Sequence, residues 1–193
     1  MKKVFQRVLQ LILHPAAAWD EIAGEMEEGR YNAIGEYLYP LVSYCALLCF
    51  AVKLIAARVA DSTAPMGEVI PRVFLEIVGF FFVFIGGLYV SLFFLRLIYR
   101  PAKYTFAVGY PMVALLAYSM TLLIVLRTVG NIVEVFSFLG FPFQFYTLYI
   151  VWEGSKKMLE IPDKWRLNVS VLTALVLILF TTLIANLYER IIG

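Results

Sequence analysis

The sequence predicts an all-α, polytopic integral membrane protein with five transmembrane helices, preceded by N-terminal amphipathic helices that lie in the membrane interface. Composition is the first reason, since hydrophobic residues make up 62% of the 193 residues, charged residues 16%, and mean hydropathy is +0.84. Long runs without a formal charge are the second, the longest being Tyr104–Leu126 and Leu167–Tyr188. A helix of about 20 apolar residues spans about 30 Å of hydrocarbon, so these runs predict membrane-crossing helices.

The first 36 residues predict two short helices rather than a span. In residues 1–13, one side of the helix is apolar and carries Val4, Phe5, Val8, Leu9, Leu11 and Ile12. The opposite side is polar and carries Lys2, Lys3, Gln6, Arg7 and Gln10. Pro15 then opens a second helix, Ala16–Glu28, which Gly29 ends. Both segments are too short and too polar to cross a bilayer, which favours a position in the interface.

The remaining residues, 37–193, are predicted to form one domain of five spans. The predicted spans are 37–57, 73–95, 104–126, 142–158 and 167–188. The fourth is interrupted by Gly140 and Pro142, which leaves two interpretations open. One kinked helix could run through residues 135–152, or a short interfacial piece at 130–140 could precede a helix from Pro142 to Met158. Proline is well tolerated at a helix start, which favours the second interpretation.

The placement of Lys and Arg predicts the orientation. With the N-terminus in the cytoplasm, eleven of the 16 basic residues lie on the inner side and five on the outer side. Basic residues accumulate on cytoplasmic loops, so we expect a cytoplasmic N-terminus and an external C-terminus. The expected location is the inner, cytoplasmic membrane of a bacterium.

Four charged residues lie inside or close to predicted spans: Lys53, Glu76, Arg127 and Glu134. Charge within a bilayer is costly and points to function by default. However, Lys53 and Glu76 each lie about one turn inside the outer end of their spans, which predicts an ion pair. Arg127 and Glu134 could pair in the same way. Structural pairing and participation in an ion or substrate route both remain open.

Basic residues on the predicted inner side are candidates for contact with anionic lipid headgroups. They are Arg96, Arg100, Lys103, Lys156, Lys157, Lys164 and Arg166. The same residues are also explained by membrane orientation alone, without any ligand. Small residues at every fourth position, Gly79, Val83, Gly87 and Ser91, predict close helix packing within the chain or in a homo-oligomer.

Enzyme motifs are nearly absent from the sequence. It contains one histidine, and it lacks a phosphate-binding loop, a His-Glu-x-x-His motif and a Gly-x-Ser-x-Gly motif. The two cysteines, Cys45 and Cys49, share a helix face and are interpreted as packing residues. We therefore expect a protein without catalytic residues, cofactor or metal, and without nucleic-acid binding.

Three stretches carry a resemblance to a known family. The first predicted span begins with Glu36-Tyr37-Leu38-Tyr39-Pro40, and the third contains Gly109-Tyr110-Pro111. A tyrosine-rich stretch beginning at Tyr146 leads to Gly154, Met158 and the turn Ile161-Pro162-Asp163-Lys164. The chain resembles the YIP-domain family of Ypt/Rab-interacting membrane proteins, whose eukaryotic members carry Asp-Leu-Tyr-Gly-Pro before the first span and Gly-Tyr in the third. The glycine of the first motif is missing here.

The resemblance covers the chain from about residue 14 to the end, and the third stretch is similar to the bacterial branch. It implies a non-enzymatic protein of five spans that acts as a membrane scaffold or as an interaction or trafficking-like factor. Membrane lipids, a second copy or another membrane protein are the implied partners. Eukaryotic relatives bind Rab-type GTPases, but their longer cytosolic N-terminal region has no counterpart here, so GTPase binding is not expected. The alternative function is a small transporter or channel component that uses the charged residues within its spans.

Overall fold

Regular structure in the described part of the chain is helical. The computed structural model describes residues 2–29, 32–60, 65–99, 109–133, 136, 140, 142–159 and 161–192. Its main helices are α1 Lys2–Leu13, α2 Pro15–Glu27, α3 Ala33–Ala60, α4 Met66–Tyr99, α5 Tyr110–Ile132, α6 Tyr146–Met158 and α7 Asp163–Ile192. Within the described residues, four helices are long and apolar enough to cross a membrane: α3, α4, α5 and α7. The fold class is therefore all-α, as predicted.

The four long helices coincide with four of the five predicted spans. Predicted spans 37–57, 73–95 and 167–188 lie wholly inside α3, α4 and α7. The third predicted span begins at residue 104, and its first residues lie outside the described part of the chain, whereas α5 begins at Tyr110. Each long helix extends beyond its predicted span at one end or at both.

The predicted fourth span is not confirmed. Helix α6 has 13 residues, which at 1.5 Å per residue gives about 20 Å, less than the thickness of a bilayer core. It begins at Tyr146 rather than at Pro142. Before it, residues 142–143 are helical and residues 144–145 form a turn, in which the Phe145 N–H bonds to the Pro142 carbonyl. The break before α6 thus lies after Pro142, and Gly140 and Pro142 are themselves helical.

Side-chain contacts give the relative directions of the helices. Tyr37 of α3 bonds Thr121 of α5, and Cys49 lies beside Thr128, so α3 and α5 run in the same direction. Helices α4 and α7 run in opposite directions, because Gly79 lies against Tyr188 whereas Tyr99 bonds the Val169 carbonyl. The bundle therefore has two ends.

We name these ends by one residue each. The Tyr110 end holds the starts of α3, α5 and α7 and the end of α4, with Tyr110 bonded to Ala33. The Arg127 end holds the opposite termini of the same helices, with Arg127 paired to Glu189. Helix α6 follows α5 in the chain, and its last part lies towards the Tyr110 end, where Ser155 of α6 bonds Ser170 of α7 at 2.8 Å.

Two long helices contain a widened π-helical turn. In α3 this turn spans Ala33–Leu38, and Asn32 caps it by accepting hydrogen bonds from the N–H groups of Ile34 and Gly35 at 3.1 and 3.0 Å. In α4 it spans Phe82–Gly86, near the middle of the helix. Such turns are rare and are frequent at functional sites, which directs attention to the second one.

The N-terminal helices pack against the bundle. Trp19 of α2 is fully buried, and its indole N–H donates to the Ile150 carbonyl of α6 at 2.9 Å. A Cβ at Gly154 would lie only 2.5 Å from the Trp19 ring, so this glycine of the tyrosine-rich stretch makes room for the indole. At the end of α2, Gly29 adopts a φ of 67°, which is the termination expected from the sequence.

Arg7 departs from its predicted position on the polar side of α1. Its side chain is 9% exposed, and it pairs with Glu21 at 2.7 Å and Glu25 at 2.8 Å. Both carboxylates belong to α2, so the charge of Arg7 is satisfied by a neighbouring helix rather than by water. Because α1 and α2 lie side by side, the periodicity of α1 alone could not reveal this partner.

Candidate functional site

A charged cavity opens at the Arg127 end. Its volume is about 730 Å³, and a second cavity of about 210 Å³ adjoins it, with Val83, Arg127, Asn131 and Glu189 lining both. Its lining residues come from α3, α4, α5 and α7 and are Lys53, Arg72, Leu75, Glu76, Gly79, Phe80, Val83, Arg127, Asn131, Tyr188 and Glu189. Ligand cavities commonly measure about 300–1,000 Å³, so this one has the size of a binding site.

Two ion pairs cross the cavity wall. Lys53 of α3 pairs with Glu76 of α4, as their matching depths predict, and the two side chains are 34% and 36% exposed. Arg127 of α5 pairs with Glu189 of α7. Arg127 is therefore paired with a different helix from the one expected, and its predicted partner, Glu134, lies outside the described residues.

One cation of the cavity remains uncompensated. Arg72 of α4 lines the cavity and is exposed, and it has no ion-pair partner among the residues that the structure describes. Three basic and two acidic side chains thus line the cavity, which leaves an excess of one positive charge. Leu75, Phe80 and Val83, which lie on the same helix as Arg72 and Glu76, supply an apolar part of the lining beside these charges.

Close packing of α4 on α7 shapes the cavity floor. Gly79 has no side chain, and a Cβ there would overlap the ring of Tyr188. The Tyr188 hydroxyl donates to the Leu75 carbonyl, which fixes the ring across the helix contact. Farther along, a Cβ at Gly87 would lie 3.0 Å from Thr181 Oγ1, so the predicted small-residue face of α4 does pack within the chain.

Glu76→Gln is expected to lower the free energy of unfolding by about 1–2 kcal/mol, between the values for exposed and for buried pairs. The reason is that Lys53, two-thirds covered, loses its counter-charge. Unfolding can be followed in detergent by the reaction of a thiol dye with Cys45 and Cys49, which are buried and free.

The matched control for this prediction is Asp20→Asn. It removes the same charge from an exposed pair with Lys157, at 2.6 Å, and should change stability by less than about 1 kcal/mol. Adding Lys53→Gln to Glu76→Gln should recover part of the loss. Equal effects of Glu76→Gln and Asp20→Asn would contradict a special role of the first pair.

Sequence reasoning missed three polar residues of this cavity: Arg72, Asn131 and Glu189. Arg72 directly precedes the predicted second span and Glu189 directly follows the predicted fifth, so both were assigned to loops. In the structure α4 begins at Met66 and α7 continues to Ile192, which brings both residues onto helices. Asn131, whose amide lies 3.9 Å from Cys49 Sγ, gave no separate signal in the sequence.

The motif residues lie near the Tyr110 end and serve helix geometry. Gly109 precedes α5 with extended backbone, Pro111 follows in its first turn, and the Tyr110 hydroxyl accepts from the Ala33 N–H at 2.6 Å. Tyr39 and Pro40 follow the widened turn of α3 directly. Since Pro40 has no N–H to donate, the motif coincides with a break in regular α-helical bonding.

Basic residues at the Tyr110 end are partly engaged in local ion pairs. Lys156 pairs with Glu153 at 2.7 Å, Lys157 with Asp20 at 2.6 Å, and Arg166 with Asp163 at 2.6 Å. Within the described part of the chain, Arg96 and Lys164 are exposed and have no ion-pair partner. Arg100 and Lys103, also predicted to contact headgroups, lie outside the described residues.

The described side chains also bear on metal binding. Among them, no group of three or more His, Cys, Asp or Glu residues is arranged to hold a metal ion. The neighbouring thiols of Cys45 and Cys49 are buried within the helix packing.

Four long apolar helices, two of which contain widened turns, define a polytopic α-helical membrane protein. The sequence model of the Yip1 domain matches residues 9–185. The chain therefore belongs to the Yip1-domain family, as its motifs suggest, and it is an integral membrane protein. No curated protein and no solved structure gives a significant match.

Proposed function

We propose that this protein is a non-enzymatic membrane scaffold or interaction factor of the YIP type. The observation that carries the proposal is the attachment of helices α1 and α2 to the bundle, which leaves an apolar stripe on the outer face of α1. This stripe consists of Phe5, Leu9 and Leu13, which are 41%, 59% and 63% exposed. Membrane lipids, a second copy or another membrane protein are the proposed partners of the chain, and this stripe is the surface proposed for the protein partner.

The contacts of α1 and α2 with the bundle support a surface of fixed orientation rather than a flexible N-terminal segment. Trp19 anchors α2 on α6, and Arg7 ties α1 to α2 through Glu21 and Glu25. The Tyr146 hydroxyl of α6 donates to the Ile12 carbonyl of α1 at 3.1 Å. Because α1 is held to α2 and to α6, and α2 is itself held to α6, the outer face of α1 has one orientation. A fixed orientation favours binding of a specific partner over general association.

We propose that α1 lies in the interface of the inner leaflet, with the Tyr110 end in the cytoplasm and the Arg127 end outside. Helix α6 then supplies the inner part of a fifth crossing. A cytoplasmic N-terminus and an external C-terminus agree with the excess of Lys and Arg at the Tyr110 end. The proposed location is the inner membrane of a bacterium.

Site-specific photo-cross-linking tests the scaffold proposal. A cross-linker at Leu9 of α1 is expected to yield one discrete protein adduct in native membranes, either with a second copy or with another protein. Leu179 of α7 is the matched control, because it is 60% exposed on a membrane-spanning helix and should yield lipid adducts. Lipid adducts alone at both positions would contradict the scaffold proposal and leave α1 as a membrane anchor.

A small transporter or channel component is the second candidate. It is favoured by the shared cavity of Lys53, Glu76 and Arg127, three of the four charged residues predicted within spans. Against it, the bundle core towards the Tyr110 end is filled by fully buried side chains, including Tyr37, Tyr118 and Leu115. Flux of ions or solutes in proteoliposomes that is lost on Glu76→Gln would support the second candidate, and absence of flux would favour the first.

A further inference from the structure

The net charge of the residues that line the cavity at the Arg127 end indicates the charge of a ligand that would bind there. Glu76 and Glu189 each neutralise one neighbouring cation, and Arg72 supplies the remaining positive charge. A ligand with one negative charge would complete the balance. A dianion would leave a net negative charge beside two carboxylates, which is unfavourable in a partly desolvated site.

The hydrogen-bond donors of the cavity indicate which kind of anionic group would bind there. An arginine guanidinium carries five N–H donors in a planar fork that matches phosphate and carboxylate oxygens. Arg127 uses Nη2 for Glu189, which leaves its other N–H groups for a further acceptor. The exposed Arg72 is available for a two-pronged contact, and Asn131 adds an amide to the same wall.

The size of the cavity and its apolar lining indicate that the ligand also has an uncharged, apolar part. An inorganic phosphate ion alone would fill only a small part of the cavity, whose volume is about 730 Å³. Leu75, Phe80 and Val83 offer an apolar wall next to the cations. The cavity lies at one end of helices that cross the membrane, which is the depth at which the phosphates and the first carbons of lipids meet the protein.

We infer that the cavity at the Arg127 end binds a monoanionic phosphodiester, held by Arg72 and Arg127, with its apolar part against Leu75, Phe80 and Val83. The headgroup of an anionic glycerophospholipid has this chemistry, and a small soluble phosphodiester shares the charged part. This inference does not depend on the scaffold function, because it concerns the end of the bundle opposite the basic loops, and it requires binding in the cavity but no transport.

Native mass spectrometry of the full chain released from nanodiscs tests the inference. The probe lipid is phosphatidylglycerol, titrated into a phosphatidylcholine background, and the readout is the fraction of protein that retains one probe molecule. Arg72→Gln is expected to weaken retention by about tenfold or more, since a charge-assisted contact is lost. Arg190→Gln removes the same charge from the last turn of α7, outside the cavity lining, and should bind like the unmodified chain.

A second arm separates the two sources of the ligand. Dimethyl phosphate is added to protein in the same mixed phosphatidylglycerol and phosphatidylcholine nanodiscs, and its displacement of the retained phosphatidylglycerol is measured. Retention that resists displacement assigns the site to a lipid headgroup, whereas displacement dependent on Arg72 assigns it to a soluble phosphodiester. Equal losses for Arg72→Gln and Arg190→Gln, or no loss for either, would overturn the inference. Because Arg72 is exposed, Arg72→Gln should keep its thermal midpoint in the thiol assay.

Discussion

Trp19→Ala is expected to destabilise the protein by about 3–5 kcal/mol, the usual cost of removing a large buried aromatic side chain. Trp19 has no exposed surface, it donates to the Ile150 carbonyl, and its ring lies edge-on to Tyr118 with 5.8 Å between centroids. Alanine would leave a cavity between α2, α5 and α6. The thiol assay on Cys45 and Cys49 should show a midpoint lower by on the order of 10 °C.

Trp165→Ala provides the matched control for this result. Trp165 lies in α7 and is 45% exposed, so the same substitution should cost far less. Cross-linking from Leu9 should also weaken in Trp19→Ala, because α1 is positioned through α2. A Trp19→Ala protein with an unchanged midpoint would show that α2 does not form part of the folded core.

The helix pattern was predictable because it rests on local information. Uncharged runs of about 20 residues fix where a helix can cross a bilayer, and four long helices lie at the predicted places. Helix ends were less predictable, since a charged residue such as Arg72 or Glu189 can continue a helix when a neighbouring helix accommodates it. The cavity therefore contains residues that a search restricted to uncharged runs leaves out.

Side-chain partners on different helices were predictable only where the depth of the two residues in the membrane is enough to identify the pair. Lys53 and Glu76 lie at equal depths in consecutive spans, and they do pair. Arg7 finds its partners on α2, and Trp19 finds its acceptor 131 residues later in the chain. Neither pairing is encoded in the periodicity of a single helix. The role of Gly154 is equally hidden, because a glycine becomes informative only when the ring packed against it is known.

The apolar segment between α5 and α7 shows a limit of hydropathy itself. Residues 135–152 carry no charge, yet α6 begins only at Tyr146 and ends in basic Lys156 and Lys157. The turn that precedes α6 lies at residues 144–145, after the Gly140 and Pro142 signals of the sequence. Hydropathy predicts that the segment is apolar, but it does not indicate where a helix within the segment begins.

Gly79→Ala is expected to destabilise the contact of α4 with α7 by about 1–3 kcal/mol, the usual cost of overpacking. The new Cβ would overlap the Tyr188 ring, which cannot retreat without breaking its bond to the Leu75 carbonyl. Gly86→Ala is the control on the same helix, because its Cβ would lie 3.6 Å from Ile184 Cδ1, an ordinary contact. That control should be neutral or stabilising, as alanine favours helix by up to about 1 kcal/mol.

A double-mutant cycle identifies the cause of the Gly79→Ala effect. In a Tyr188→Ala background the ring is absent, so Gly79→Ala should lose most of its cost and give a coupling energy of about 1–3 kcal/mol. Midpoints from the thiol assay supply all four corners of the cycle. Additive effects would mean that the glycine is needed for some reason other than the ring.

Because Gly79 and Tyr188 also line the charged cavity, displacement of the ring should weaken phosphatidylglycerol retention together with stability. Gly86→Ala should lower neither stability nor retention, which ties the shape of the cavity to this one helix contact.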